Sequence, residues 1–194
     1  MQGIIKVILN LFSRKFLIKI SLILKPFFEL IFRGDRFVDP INNKSYSYFF
    51  PYGYNKLRKN ALSPGTLSLE RHRLLWIFLE KETDFFNTEN KILHIAPEQC
   101  FYKSFKKNFE SYTTCDLNSP IAEIRADVCN LPFDENEFDF VLCNHVLEHV
   151  YDDEKAMNEI YRVLKHEGKA ILQVPVDNSF CLLYTSDAAD DTSR

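Results

Sequence analysis

The sequence predicts an α/β fold with a mainly parallel sheet, and three observations in residues 91–176 lead to this prediction. Apolar runs of four to six residues alternate with segments of helical periodicity, which is typical of strands joined by crossover helices. Most of these runs end at a polar or acidic residue, and in such sheets ligands bind at the carboxyl ends of the strands. The helical segment 153–165 is closed by a lysine and by Gly168, as the C-terminus of a helix should be. The predicted strands are 91–95, 112–116, 123–126, 138–143 and 170–175.

Residues 1–36 form a separate predicted region of basic amphipathic helices. Apolar residues occupy most positions up to residue 33, and polar, mostly basic residues recur about every fourth position, which places them on a narrow helical stripe. Pro26 is predicted to kink this helix or to divide it in two. Two interpretations remain open for residues 1–33. They form either an interfacial helix that lays its cations against anionic lipid or a helix packed on the rest of the chain or on a second copy.

Residues 37–90 are predicted to form a small cap, in which a hairpin or irregular segment precedes a helix. Aromatic and polar residues mix up to Asn60, with prolines and glycines at turn positions. The helix is predicted over Leu69–Lys81 with Ser68 as its N-cap, and the apolar residues expected to face the domain are Leu74, Ile77 and Phe78. A basic run on this helix either holds an anion or forms an ordinary charged face: Arg71, His72 and Arg73.

The core is predicted over residues 91–180, and residues 181–194 are predicted not to belong to the fold. The helix 153–165 is expected to cover the last two strands by burying Ala156, Ile160, Val163 and Leu164. The ten residues from Cys181 to Asp190 back-translate in frame to a DNA string similar to the transposase adapter used in preparing sequencing libraries. We therefore expect the tail to be a read-through artefact and treat it as one would an expression scar.

Three landmarks follow one another in the core. The first is a strand that ends in an acidic residue, Tyr112-Thr-Thr-Cys-Asp116. The second runs from Ala126-Asp127 through Leu131-Pro-Phe133 to Phe138-Asp-Phe-Val141, and the third is Tyr161-Arg-Val-Leu-Lys165 before a glycine. Their order and spacing resemble the cofactor half of a class I S-adenosylmethionine (SAM)-dependent methyltransferase of the type 11 kind. Two more runs, SLERHR at 68–73 and HIAPE at 94–98, are similar to a bacterial branch of that family.

The resemblance implies a Rossmann-like, doubly wound parallel sheet, with the N-terminal helices and the cap added to it. Members of the family have seven strands, so the last two strands are expected to be missing from a C-terminally truncated chain. The implied activity is transfer of a methyl group from SAM, the implied cofactor, to a small-molecule or lipid-borne acceptor. A non-catalytic binding or scaffold protein on the same fold is the alternative, because the first loop contains no glycine.

The resemblance also implies which residues hold the cofactor. Ala96 and Glu98 lie in the first loop, where relatives place a glycine-rich turn against the methionine part of SAM. Asp116 is expected to accept hydrogen bonds from both ribose hydroxyls, although a helix N-cap is the alternative role. Asp127 and the Val128 backbone are expected to meet the adenine, although Asp127 is also a common turn-forming residue.

Two further residues are expected beneath the transferred methyl group. Asn144 and His145 follow the fourth predicted strand, and His145 is the candidate general base for an acceptor that must lose a proton. His145 also opens an H-x-x-E-H run, the inverted zinc-protease pattern, whose chemistry needs both histidines on one helical face and a third ligand. Because the run leaves a buried strand, Glu148 and His149 are predicted instead to orient the next helix.

No metal is expected, and the cap lacks the cysteine ligands of a structural zinc site. The places where relatives carry cysteine pairs, 39–42 and 63–66, contain no thiol. The five cysteines of the chain lie far apart, which suits a reducing compartment better than a disulfide framework.

Charge and hydropathy limit the partners and the location. The net charge of -3 gives no reason to expect nucleic-acid binding. No uncharged apolar run reaches the roughly 18 residues that a transmembrane helix needs. The expected location is cytoplasmic, with peripheral contact to the inner face of the membrane if residues 1–33 form an interfacial helix.

Overall fold

The computed structural model describes residue 24 and residues 26–53 and 57–175. The chain divides into two compact units: unit 1 contains residues 1–90 and 97–112, and unit 2 contains residues 91–96 and 113–194. The predictions for residues 1–23 and for the tail after residue 175 lie outside the described residues.

Unit 1 begins, in its described part, with a short helical segment at residues 26–31, followed by two antiparallel strand pairs. Strand β1 (Arg33–Asp39) pairs with β2 (Lys44–Tyr46), and β3 (Phe50–Tyr52) pairs with β4 (Arg58–Leu62). The hairpin expected in the cap is therefore present, together with a second one.

The stretches 39–42 and 63–66 meet in a buried hydrogen-bonded cluster. The Asp39 carboxylate is fully buried and accepts hydrogen bonds from the Ile41 backbone N–H, at 3.0 Å, and from the hydroxyls of Thr66 and Ser68. The Ser63 hydroxyl accepts from the backbone N–H of Thr66 at 3.4 Å. These bonds compensate the polar groups for their removal from water.

Helix α1 (Glu70–Glu82) begins one residue later than predicted, and a different face of it is buried. The prediction that Ser68 is the N-cap is wrong, because its hydroxyl bonds to Asp39 and the N-cap is Leu69. The predicted inward face is also wrong, since its three apolar residues are partly or largely exposed: Leu74 at 67%, Ile77 at 37% and Phe78 at 42%. The buried face consists of His72, Leu75, Trp76 and Leu79.

Aromatic packing explains which face of α1 is buried. Trp76 lies nearly parallel to the ring of Phe105, with centroids 5.7 Å apart, and also stacks on Phe101 at 6.3 Å. Both phenylalanines are fully buried and belong to α2 (Gln99–Asn108). Trp76 is the largest side chain of α1, and its stacking on two rings of α2 accounts for the face that is buried.

Unit 2 contains a sheet in the order β6–β5–β7–β8, which confirms the predicted parallel sheet. Its strands are β5 (Ile92–Ile95), β6 (Tyr112–Cys115), β7 (Phe138–Asn144) and β8 (Leu164–Gln173). Strand β7 pairs in parallel with both β5 and β8. The strand predicted at 123–126 is reduced to a single parallel bridge between Ile124 and Cys115 on the outer edge of β6. With that bridge the order is that of a Rossmann-like sheet: the chain adds β6 on one side of β5 and then β7 and β8 on the other side.

Helix α3 (Asp153–Val163) packs on the sheet of unit 2. The Asp152 carboxylate caps it by accepting from the Lys155 backbone N–H at 2.9 Å. The prediction that Ala156, Ile160 and Val163 are buried is confirmed, whereas Leu164 is only partly buried and belongs to β8. The helix ends two residues before the predicted end, because Leu164 already pairs with Phe138 and starts β8, and a bulge follows in that strand.

The side chain of Arg162 fastens the loop 131–133 to α3. Its guanidinium donates to the carbonyl oxygens of Phe133, at 2.8 Å, and Leu131, at 3.0 Å. It also forms a two-point ion pair with Glu159 at 2.7 and 2.8 Å, and Glu159 accepts from the Leu131 backbone N–H at 2.8 Å. The hydrogen bond from Arg162 holds the pKa of Glu159 below its ordinary value, against a smaller opposing effect of burial. The arginine of the third landmark thus holds the Leu-Pro-Phe loop of the second.

Asp139 connects three strands at the end of the sheet where they begin: its own strand β7, the start of β5 and the start of β8. Its carboxylate accepts from the Lys91 backbone N–H at 2.8 Å and from the Lys165 ammonium at 2.9 and 2.7 Å. Burial favours the neutral carboxyl, but these bonds outweigh it and lower the pKa of Asp139. Asp139 therefore has a structural role at the start of the sheet, far along β7 from the strand ends where ligands bind.

We expect Arg162→Ala to lower the free energy of unfolding by about 2 kcal/mol, because two loop carbonyls and the Glu159 carboxylate lose their shared donor. Denaturant unfolding followed by far-ultraviolet circular dichroism measures this change. The exposed Arg125→Ala is the matched control and should change stability by less than about 0.5 kcal/mol. Equal stability of the two variants would contradict the role assigned to Arg162.

Candidate functional site

A cleft of about 480 Å³ lies within unit 2 at the carboxyl ends of β5, β6 and β7. Its volume lies in the range of small-molecule sites, and its position is the switch point of the sheet. Five of the predicted site residues line it: Ala96, Asp116, Asp127, Val128 and His145. The other residues that line it are Ile95, Leu117, Asn118, Ala126, Cys129, Val146, His149, Val150, Tyr151 and Asp152.

The chain turns sharply into the cleft directly after β5 and after β7. Ala96 has φ of 52° and His145 has φ of 56°, which is the left-handed region that only glycine adopts freely. The Ala96 backbone N–H donates to the Cys115 carbonyl at 2.9 Å, and that of His145 donates to Gln173 at 2.7 Å. Ala96 therefore adopts a conformation that favours glycine, and its methyl group is the smallest side chain that can replace one.

Asp116 combines a local role with a place in the cleft. Its Oδ1 accepts hydrogen bonds from the backbone N–H groups of Asn118, at 2.7 Å, and Ser119, which hold the turn after β6. Both bonds use Oδ1, so Oδ2 takes no part in this turn. The residue lies at the wall of the cleft with its carboxylate oriented by its own backbone, as a hydroxyl-binding carboxylate requires.

Asp127 also forms a turn and lines the cleft. Its carboxylate accepts from the Cys129 backbone N–H at 2.9 Å, and its carbonyl accepts from Asn130 at 2.9 Å. The turn-forming role is thus present, and the side chain remains exposed at the cleft. The neighbouring Cys129 has a raised pKa, from burial first and then from Asp127 and Asp152, so it stays a neutral thiol rather than a nucleophilic thiolate.

His145 is oriented by a carboxylate three residues later. Its Nδ1 lies 3.2 Å from Oε1 of Glu148, and the other oxygen of Glu148, Oε2, is buried without a hydrogen-bond partner among the residues that the structure describes. The segment Leu147–His149 is a short 3-10 turn and not the α-helix that the zinc-protease pattern requires. Within residues 26–53 and 57–175, no group of three or more His, Cys, Asp or Glu side chains is arranged to hold a metal ion.

Two predicted site residues do not line the cleft. Glu98 is the N-cap residue of α2 in unit 1. Asn144, the last residue of β7, is only 4% exposed, and neither polar atom of its side chain has a hydrogen-bond partner in the part of the chain that the structure describes. A buried amide without partners is costly, so this position at the end of β7 is unfavourable for stability as it stands.

The basic run on α1 has an internal role in unit 1. The Arg73 guanidinium donates to the carbonyl oxygens of Ala61, at 3.1 Å, and Ser68, at 2.7 Å, and lies over the ring of Phe49. The His72 ring is buried and accepts from the Leu69 backbone N–H at 3.0 Å. These bonds favour the structural interpretation of Arg73 and His72 over the anion-binding one.

Several cleft residues were not predicted from the sequence. Leu117 and Asn118 follow Asp116 directly. They could have been predicted as cleft residues, because they belong to the turn after a strand that ends in an acidic residue. Tyr151 and Asp152 approach from the start of α3, and only the folding of the chain brings them to the cleft.

The charge of the cleft suits a cationic ligand. Three aspartates, Asp116, Asp127 and Asp152, line it together with two histidines, and its lining contains no lysine or arginine. Apolar side chains such as Leu117 and Val150 provide surface for a flat ring. SAM has a sulfonium, an ammonium, a sugar with two hydroxyls and an adenine, so these residues fit SAM.

Comparison with known proteins relates this part of the chain to methyltransferases. Residues 90–172 match the model of a family described as a methyltransferase domain. Over 52 residues, 27% of this chain, the sequence is 54% identical to an uncharacterised protein of Methanocaldococcus jannaschii and 44% identical to a 2-phytyl-1,4-naphtoquinone methyltransferase of Nostoc punctiforme. The matched stretch spans 23% of the length of each of these relatives.

Among solved structures, the YcgJ protein of Bacillus subtilis has 22% identity and a TM-score of 0.43, covering 53% of this chain and 50% of the other. The PH0226 protein of Pyrococcus horikoshii has 18% identity and a TM-score of 0.43, covering 63% of each chain.

Residues 90–172 thus match a methyltransferase domain, and the strand order of their sheet is that of a Rossmann-like fold. In the described residues, no helix has the length and apolar character needed to cross a bilayer.

We expect Ala96→Gly to raise the free energy of unfolding by about 0.5 kcal/mol. Glycine removes the left-handed strain of about 1–2 kcal/mol but gains freedom in the unfolded chain. Thermal and denaturant unfolding measure the change.

The matched control is Ala170→Gly, the same chemical change at an exposed position inside β8. It should lower stability by about 0.5–1 kcal/mol, because glycine only weakens an ordinary strand. Destabilisation of both variants by the same amount would show that Ala96 is not strained.

Proposed function

We propose that this chain is part of a SAM-dependent methyltransferase, with SAM bound in the cleft of unit 2. The observation that carries the proposal is the arrangement of Ala96, Asp116, Asp127 and His145 around one cleft, although they lie up to about 50 residues apart in sequence. The family match over residues 90–172 supports the same chemistry.

The carboxylates of the cleft hold the cofactor in this proposal. Asp116 accepts hydrogen bonds from the ribose hydroxyls through Oδ2, while Oδ1 keeps the turn after β6. Asp127 and the Val128 backbone lie beside the adenine, and the small Ala96 leaves room for the methionine part of the molecule. When bound, SAM would supply a methyl group attached to a sulfonium. After the transfer, the sulfur remains as a neutral thioether, which is a good leaving group. The main task of the protein is then to align donor and acceptor.

The pair of His145 and Glu148 handles the proton of the acceptor. When Nδ1 of His145 donates to Glu148, Nε2 of the ring is the atom that can accept a proton. Glu148 fixes this tautomer and stabilises the charged ring that forms, so it acts as a positioning residue. The left-handed backbone at His145 turns the ring towards the cleft that it lines.

We further propose a lipid-borne acceptor over a water-soluble one. The relative from Nostoc punctiforme, 44% identical over the matched stretch, is named as a methyltransferase of a phytylated quinone, which is a lipid. The first 33 residues of this chain are also mostly apolar in sequence, with basic residues at intervals, as in proteins that work at a membrane surface.

Calorimetric titration of S-adenosylhomocysteine, the demethylated product of SAM, into the chain tests cofactor binding. We expect binding in about the micromolar range, weakened about tenfold or more in Asp116→Asn. Asparagine keeps an oxygen for the turn but replaces the second acceptor oxygen with a donor amide.

Asp134→Asn is the control, because Asp134 is exposed and does not line the cleft. It should bind like the unmodified chain. A folded protein that binds neither SAM nor S-adenosylhomocysteine would support the scaffold alternative and contradict the proposed function.

Transfer of a tritiated methyl group from SAM tests the acceptor and the proton relay. The label should enter a total bacterial lipid extract, and His145→Ala should slow this about a hundredfold. Glu148→Gln should lower kcat about tenfold and leave the affinity for S-adenosylhomocysteine unchanged, because it acts on the histidine and not on the cofactor.

Label in the water-soluble extract alone would contradict a lipid-borne acceptor. Unchanged transfer in both variants would show that His145 and Glu148 take no part in proton removal.

A further inference from the structure

The helical segment 26–31 of unit 1, together with Leu24 before it, exposes a stripe of apolar side chains to solvent. Leu24, Phe27, Leu30 and Ile31 are exposed at 40%, 61%, 73% and 67% of their surface. Their spacing of three and four residues is that of one helical face. Contiguous large apolar side chains on a surface mark a place where the protein meets another apolar body.

The opposite face of the segment is fixed to the cap, so the orientation of the stripe is set by contacts. The ring of Phe28 lies 5.5 Å from that of Phe50, and the ring of Phe32, directly after the segment, lies 4.8 Å from Phe50, both edge to face. Glu29 forms an ion pair with Lys44 of β2 at 2.6 Å. These contacts hold the segment against the cap with its apolar stripe facing solvent.

The sequence before and after the stripe is mainly basic, with Asp35 as the one exposed acidic residue between Arg33 and Arg36. Residues 1–28 contain no Asp or Glu and five cations: Lys6, Arg14, Lys15, Lys19 and Lys25. The first acidic residue of the chain, Glu29, is paired with Lys44. Two exposed arginines follow the stripe at once, Arg33 and Arg36.

We propose that the stripe of Leu24, Phe27, Leu30 and Ile31 inserts into the headgroup region of a bilayer that contains anionic lipid, with Arg33 and Arg36 contacting the lipid phosphates. An apolar strip with a cationic surround is the pattern of interfacial helices. None of the stripe residues lines the cofactor cleft, so the proposal does not depend on methyl transfer.

The charge pattern favours lipid over a second copy of the chain. In a two-fold dimer the same patch meets itself, which would bring Arg33 and Arg36 of both copies together. The stripe also consists of four side chains, which is small for a stable protein interface of roughly 800 Å² on each partner.

Co-sedimentation of the full chain with lipid vesicles tests the proposal. Binding should be strong to vesicles of phosphatidylcholine with added phosphatidylglycerol and weaker to phosphatidylcholine alone, and salt should reduce the difference. The double variant Phe27→Glu/Leu30→Glu should bind the anionic vesicles at least about tenfold more weakly, because two apolar contacts are lost and two anions are added. Arg33→Glu/Arg36→Glu should lose the preference for anionic vesicles.

The control is Leu74→Glu/Ile77→Glu, which places the same charges on exposed apolar positions of α1. It should bind vesicles like the unmodified chain, and circular dichroism should show that all variants are folded. Equal vesicle binding by the stripe variant and the unmodified chain would overturn the proposal. The proposal would also be overturned if the chain did not bind vesicles and formed a dimer in analytical ultracentrifugation, and if the stripe variant were monomeric.

Discussion

The backbone pairing of β7 with two neighbours is the constraint on which unit 2 depends. Phe138–Asn144 is buried along almost its whole length and forms parallel ladders with β5 on one side and β8 on the other. Because the strands run in the same direction, their carboxyl ends lie along one edge. The residues that follow β5, β6 and β7 are thereby brought around one cleft, and the topology of the chain, rather than any local motif, creates the site.

The landmarks that led to the family divide into two physical classes. Arg162, Glu159 and Asp139 form ion pairs and backbone hydrogen bonds that fasten loops and strand starts together. Asp116 and Asp127 instead line the cleft. In each, a carboxylate oxygen accepts a hydrogen bond from the backbone N–H two residues later and so forms a turn. A short motif in this fold thus combines residues that hold the cleft in shape with residues that line it.

The glycine-free first loop is less unusual in the structure than in the sequence. Ala96 adopts the left-handed backbone that a glycine would adopt there, at some cost in strain, and so keeps the chain close to the end of β6. His145 has the same backbone conformation after β7, which turns a bulky side chain towards the same cleft. Strained residues at both strand ends are typical of sites where geometry serves binding or catalysis.

The sequence by itself determined the α/β class, four strands of the parallel sheet, the burial of α3 and most of the strand-end residues, because these depend on local periodicity and chain order. It did not determine the rotation of α1, which Trp76 sets by stacking on rings of α2 that are distant in sequence. Nor could it reveal that Ser68 serves the buried Asp39 instead of capping a helix, or that Tyr151 and Asp152 complete the cleft. Only the tertiary structure decided these points, because each depends on which partner lies close in space when several residues compete for the same contact.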